Sequence, residues 1–187
     1  KITVEIQALS MPSAQLVIDI QSAEGEDFSD YSVYGLDEIS LLFTSHVGAA
    51  PLPLNKVASG GELSRVMLAI EVVLAEATPL RTYIFDEVDA GVGGKAAMEV
   101  GRRLSQLADS AQVIVVTHLA QVAVWANNHL VVKKSESGSI SNSDVFSLSP
   151  EERKVEIARM LSGQSESATA QEHAQELLAL VQERMIS

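Results

Sequence analysis

Cysteine is absent from the 187 residues, which excludes a disulfide framework and a zinc–thiolate site and suits a reducing compartment. Aromatic residues make up only 4% of the chain, so a core has to be built mainly from Leu, Val, Ile and Ala. No apolar run approaches eighteen residues and no signal-peptide pattern is found, so a soluble, cytoplasmic chain that does not engage a membrane is expected. Cations are few: 13 Lys and Arg stand against 25 Asp and Glu, a net charge of −12. The basic clusters, Arg102-Arg103, Lys133-Lys134 and Arg153-Lys154, read as solvated faces and strand ends. Phosphate contacts need clustered Lys and Arg, so the chain is not expected to be a major nucleic-acid surface. Also missing is any Gly-x-x-x-x-Gly-Lys-Ser/Thr loop, the backbone cradle for nucleotide phosphates. Gly91-Val-Gly-Gly-Lys95 imitates one, but Asp89 takes the place of its first glycine and Ala96 follows the lysine, so it reads as a turn and helix start.

What is present alternates. Residues 1–10 read as the tail of a helix or a strand lead-in, punctuated by Met11-Pro12. Gln15–Ile20 and Ile39–Thr44 read as strands, Ser22–Tyr31 as a hairpin or loop, and Gly48–Pro53 as a loop. Ser59 caps the strongest helix, with Glu62 completing a capping box, Leu63, Val66, Met67, Ile70, Val73, Leu74 and Ala77 at helical spacing, and Pro79 beyond the end. Strand Thr82–Asp86, a turn over Asp89–Gly94, a helix over 95–108, strand Gln112–Thr117, a short helix near Leu119–Ala126 and strand His129–Lys133 follow. That order predicts parallel crossovers in an α/β sheet covered on both faces. Ser135–Ser143 reads as a hairpin loop with Ser143–Leu148 as its return strand, and helices over about 150–161 and 166–185 end the chain around Ser162-Gly163.

Three places carry chemistry. In Ser59-Gly60-Gly61-Glu62 two glycines at a helix N-terminus let backbone N–H groups approach an anion, with the helix dipole assisting. An ordinary capped helix explains the Ser and Glu but not both glycines. Asp86-Glu87 closes an apolar strand at the edge where α/β sheets bind ligands; in a nucleotide site the first carboxylate holds Mg²⁺ and the second polarises water. A polar strand end is the plainer alternative. Thr117-His118 ends the next strand on the same edge, where a histidine can donate to a terminal phosphate. His46, His129 and His173 read as structural.

Together these residues resemble the C-terminal half of an ABC-type ATPase site. Ala58-Ser-Gly-Gly-Glu62 is similar to the signature motif, Tyr83–Glu87 to a Walker B strand, Val88-Asp89-Ala90 to the D-loop and Thr117-His118 to the H-loop. Within that superfamily, Leu54–Ile70, Phe85–Gly94 and Val113–Gln121 resemble the RecN family of bacterial SMC-like DNA repair proteins. The close match runs over about residues 50–134; the tail with Ile157-Ala-Arg-Met-Leu161 also fits, and the first fifty residues fit loosely.

The resemblance implies an α/β fold, the C-terminal half of an ABC/SMC-type P-loop ATPase head, with a largely parallel sheet flanked by helices and with terminal helices. Residues 1–12 would end a coiled-coil arm and 13–187 would form the lobe. ATP and Mg²⁺ are the implied cofactors, with Asp86 on the metal, Glu87 on the attacking water and His118 on the γ-phosphate. Ser59, Gly60, Gly61 and Glu62 would serve the nucleotide of a second head across a homodimer, with Asp89 coupling the two sites. The implied partners are the N-terminal lobe of the same protein, the second head, and DNA, mainly through other parts of a nucleoid-associated protein. The chain departs from the family in lacking the phosphate loop and Q-loop, so by itself it is expected to be inactive. Two alternatives stand beside this reading. One is another ABC or SMC-like ATPase, such as a transporter subunit, against which Glu62 argues because many transporters place Gln there. The other is a catalytically silent interaction module, against which Asp86, Glu87 and His118 together argue.

Overall fold

The structure, a computed structural model, describes residues 1–22, 27–57, 59–75, 81–134, 143–164 and 167–186. The first residues are helical: α1 (Ile2–Ala8) buries Ile6 and hands over through buried Leu9 and Met11 to β1 (Gln15–Gln21). β1 pairs antiparallel with β2 (Glu38–Thr44), from Gln15 opposite Thr44 to Gln21 opposite Glu38. Residues facing each other share one side of the sheet, so Leu16 and Phe43 join the core while the next pairs, Ile18–Leu41 and Ile20–Ile39, run past it into solvent. The segment expected as a plain loop adds a third strand, β3 (Leu52–Pro53), at the sheet edge, where a proline costs no ladder bond. Within Ser22–Tyr31, Phe28–Asp30 form one 3-10 turn. The rest of that stretch at 23–26, together with Ala58, Ala77, Pro79 and the loop over 135–142, lies outside the described residues.

A short helix α2 (Leu54–Val57) leads to α3 (Gly60–Leu74). The expected capping box is present: Glu62 N–H donates to Ser59 Oγ at 3.3 Å, and Ser59 N–H donates to Glu62 Oε2 at 3.1 Å. The buried face differs from the expected stripe. Gly61, Arg65, Leu68 and Ala69 face inward with Val66, whereas Leu63, Met67 and Leu74 are exposed. α3 is apolar on nearly every side, so periodicity does not select a face; the small residues do, because they let the helix approach its neighbours closely.

β4 (Thr82–Phe85), α4 (Gly94–Ala108) and β5 (Gln112–Val115) form the expected parallel crossover, with Thr82 opposite Gln112 and Phe85 opposite Val115. Tyr83, Phe85, Val113 and Val115 pack toward the core shared with α3 and α4. Ile84, Ile114 and Val116 are exposed, so among the described residues the sheet is covered on one face rather than two. Nor, among the described residues, does the parallel ladder extend to a third strand: β6 (Leu130–Lys134) pairs antiparallel with β7 (Ser143–Ser147). Hairpin pairing closes a short loop and so costs less chain entropy than a distant crossover partner. A second core joins α5 (Ala120–Ala123), α6 (Pro150–Ser162) and α7 (Ala168–Ile186) around Trp125, Ile157, Ala158, Ala174 and Val181.

Candidate active site

Parallel pairing brings two chain exits to one sheet edge. Val116 N–H donates to Phe85 O at 3.0 Å, so Asp86-Glu87 and Thr117-His118 leave the sheet side by side. Asp86 and Glu87 are exposed, and Asp86 Oδ1 accepts the Glu87 N–H at 3.0 Å. Glu87 sits in left-handed backbone, with φ at +56°.

The N-terminus of α3 meets the same turn. A Cβ on Gly60 would stand 3.0 Å from Glu87 Oε2, and one on Gly61 would stand 2.9 Å from Ala90 Cβ and 3.1 Å from Glu87 O. Both glycines thus answer to the neighbouring turn. Ser64 Oγ donates to Asp86 O at 3.0 Å, and Arg65 Nη1 donates to Ala90 O at 2.8 Å. Arg65 is 6% exposed; burial pulls its pKa below the usual arginine value, and nearby Glu62 partly offsets this. Ser59 and Glu62 are engaged with each other, the hydroxyl also donating to Glu62 Oε2 at 3.2 Å.

Asp89 is placed differently from the two carboxylates before it. Only 2% exposed, it accepts the Thr117 hydroxyl proton on Oδ2 and lies 3.6 Å from His118 Nδ1. The His118 side chain is 76% exposed, so one edge of the imidazole faces a buried anion while the ring looks out over the strand ends. Thr117 Oγ also accepts the Leu119 N–H at 3.0 Å, which fixes the exit from β5. Sequence reasoning assigned no role to Ser64, Arg65 or Thr117. The helical spacing of Gly61 and Arg65, four residues apart and so on one face, was the available signal for the arginine.

No protein-family profile matches the chain. Curated relatives do. The chain is 52% identical over 184 residues to the DNA repair protein RecN of Streptomyces coelicolor, covering 95% of the chain and 32% of that protein. To RecN of Deinococcus radiodurans it is 48% identical over 174 residues, covering 93% and 29%; to RecN of Haemophilus influenzae it is 38% identical over 180 residues, covering 96% and 32%. By sequence the chain is a RecN-family segment. It spans about a third of the length of these RecN relatives. Among solved structures, the Smc head domain with a coiled coil and joint from Pyrococcus yayanosii matches with a TM-score of 0.56 at 21% identity, over 86% of this chain and 28% of that one. An Smc head domain with an extended coiled coil from Pyrococcus furiosus gives 0.52 at 21% identity, over 84% and 36%. At that identity the likeness speaks to fold alone. The RecN-like segment is an α/β fragment with the SMC-head fold.

The sequence motifs anticipate a nucleotide and Mg²⁺, and the donor set here is compatible with the ion. Among the described residues no three His, Asp or Glu side chains converge as a cage. Mg²⁺ is ordinarily held by one or two carboxylates, with phosphate and water completing the shell. Asp86 is an exposed carboxylate at an open strand end, a donor that would suit an ion shared with a phosphate rather than one held by the protein alone.

Proposed function

We propose that the segment is the C-terminal lobe of the ATPase head of a RecN-like DNA double-strand break repair protein, with residues 1–12 ending the coiled-coil arm and 13–187 forming the lobe. The observation that carries this reading is the convergence of the Asp86-Glu87 turn, Thr117-His118 and the Ser59–Glu62 helix start on one sheet edge, in a chain whose relatives are RecN proteins. Asp86 would hold Mg²⁺, which would offset phosphate charge. Glu87 would orient the attacking water and accept its proton, and His118 would donate to the terminal phosphate. Ser59, Gly60 and Gly61 would present the start of α3 to a nucleotide bound by a second head, with Glu62 bracing Ser59 and Asp89, held on Thr117, helping to couple the two sites. Rate acceleration would come from positioning and electrostatics, as in other phosphoryl transfers.

The phosphate loop would come from the N-terminal lobe, so turnover by this chain alone is expected to be nil. ATP would join two heads and hydrolysis would part them, while DNA would be engaged mainly by other parts of a cytoplasmic, nucleoid-associated protein. The net charge of −12 agrees with that division. The test is Glu87→Gln in the full-length protein. ATP binding should persist while hydrolysis slows at least about 100-fold, the range that loss of a general base costs, and ATP-bound dimers should accumulate in light scattering. Unchanged turnover would remove Glu87 from the chemistry.

A further inference from the structure

Ser64 and Arg65 follow the Ser59–Glu62 segment directly, and both reach the turn that carries the acidic pair. Ser64 Oγ holds Asp86 O at 3.0 Å; Arg65 Nη1 holds Ala90 O at 2.8 Å and lies 3.5 Å from Val88 O. Three alternate carbonyls, of residues 86, 88 and 90, are thus gripped from one turn of one helix. Glu87 lies between the first two, with φ at +56°. Left-handed backbone costs a side-chain-bearing residue about 1–2 kcal/mol and persists where the surroundings over-determine it. The turn's own bonds, Ala90 N–H to Glu87 O at 3.0 Å and Val92 N–H to Asp89 O at 3.3 Å, do not reach α3. The tie to α3 is made by Ser64 and Arg65, and Gly60 and Gly61 let the helix come close enough to make it.

We propose that Arg65 is a positioning residue for Glu87: by holding the Val88 and Ala90 carbonyls from α3, it fixes where the Glu87 carboxylate stands and makes the Ser59–Glu62 segment and that carboxylate move as one unit. This rests on the reading of Glu87 given above. A ligand that engages Ser59–Gly61 then displaces the helix that sets Glu87, with no third element between them. Lysine is not an equivalent, because a compact, strongly hydrated ammonium replaces a planar guanidinium that sets Nη1 against both carbonyls.

The test uses the full-length protein carrying Arg65→Lys. Without nucleotide, amide hydrogen exchange is expected to quicken over residues 86–92 while 66–74 keep wild-type protection. ATP turnover should fall at least about tenfold with KM within about twofold, since a misplacement of about 1 Å costs up to about 100-fold. In a Glu87→Gln background the same change should have no further effect, because the group through which Arg65 acts is already lost. Unchanged exchange over 86–92, or an equal fold-loss in both backgrounds, overturns the proposal. Should Arg65→Lys lose protection throughout α3, Ser64→Ala goes through the same cycle, with about a threefold loss expected from one hydrogen bond and none in the Glu87→Gln background. If Glu87→Gln leaves turnover unchanged, the functional reading fails, while the exchange result still decides whether Arg65 clamps the turn.

Discussion

Gly61 stands where a methyl group would lie 2.9 Å from Ala90 Cβ, 3.1 Å from Glu87 O and 3.2 Å from Ala90 O. Two of those three atoms are backbone and the third is a methyl, so no side-chain rotation relieves the overlap. Alanine gains up to about 1 kcal/mol of helix propensity over glycine in a helix interior, but less here in the first turn. Gly61→Ala is therefore expected to be net destabilising, by about 1–3 kcal/mol as for other overpacked sites, and a lower urea midpoint for the full-length protein would register it. An unchanged midpoint would mean that α3 can slide away from the 86–91 turn. At this scale the acidic residues also separate: Asp86 and Glu87 are open to a ligand, while Asp89 is spent on Thr117 and faces His118.

Between elements, α4 packs closely against the chain following α5. A Cβ on Gly101 would fall 2.2 Å from Trp125 Cδ1, and Trp125 is buried against Ile157 and its neighbours. Alanine gains about 1 kcal/mol of propensity in mid-helix, against up to about 3 kcal/mol for forcing the indole aside. Gly101→Ala should cost about 2 kcal/mol net by these two terms, and the double variant Gly101→Ala with Trp125→Leu should recover part of it in chemical denaturation. Equal midpoints for the single and double variants would show that the ring is not what the methyl meets. α6 is tied to the same place by Arg153, whose Nη2 donates to Val124 O at 2.9 Å and Ala123 O at 3.2 Å, two carbonyls at the end of α5.

For the whole molecule, two cores and several uncovered apolar faces coexist. Ile84, Ile114 and Val116 on the parallel pair, Leu63 and Met67 on α3, and Ile18 and Ile39 on the first hairpin are exposed; these are surfaces that the proposed N-terminal lobe has the opportunity to cover. Stability of the fold should also depend on pH through His129. Burial, then the charge of Arg153, lowers its pKa below the ordinary 6.5, with Glu156 opposing. The unfolded chain therefore takes up the proton first. The neutral-His contribution is complete above about pH 6.5 and declines as pH falls from there to the folded pKa, after which it is constant. The melting-temperature advantage of the wild type over His129→Asn should accordingly narrow between about pH 7.5 and about pH 5.5. An advantage independent of pH would mean that His129 titrates alike in both states.

Element types and the motif residues were legible from the sequence because they depend on neighbours a few positions apart. The Ser59–Glu62 capping box, the helix break at Ser162-Gly163 and the Asp86-Glu87 strand exit are all local matters of backbone preference and short-range hydrogen bonding. What only the tertiary structure decided joins residues far apart. It chose the buried face of α3, confined the parallel ladder to β4 and β5 among the described residues, buried Asp89 against Thr117 28 positions away, and set Ser64 and Arg65 on carbonyls 22 to 25 positions away. A helix with apolar residues on nearly every side has no strongly preferred face of its own, and a serine or arginine in a motif does not name its acceptor. Close packing around two adjacent glycines supplied both answers.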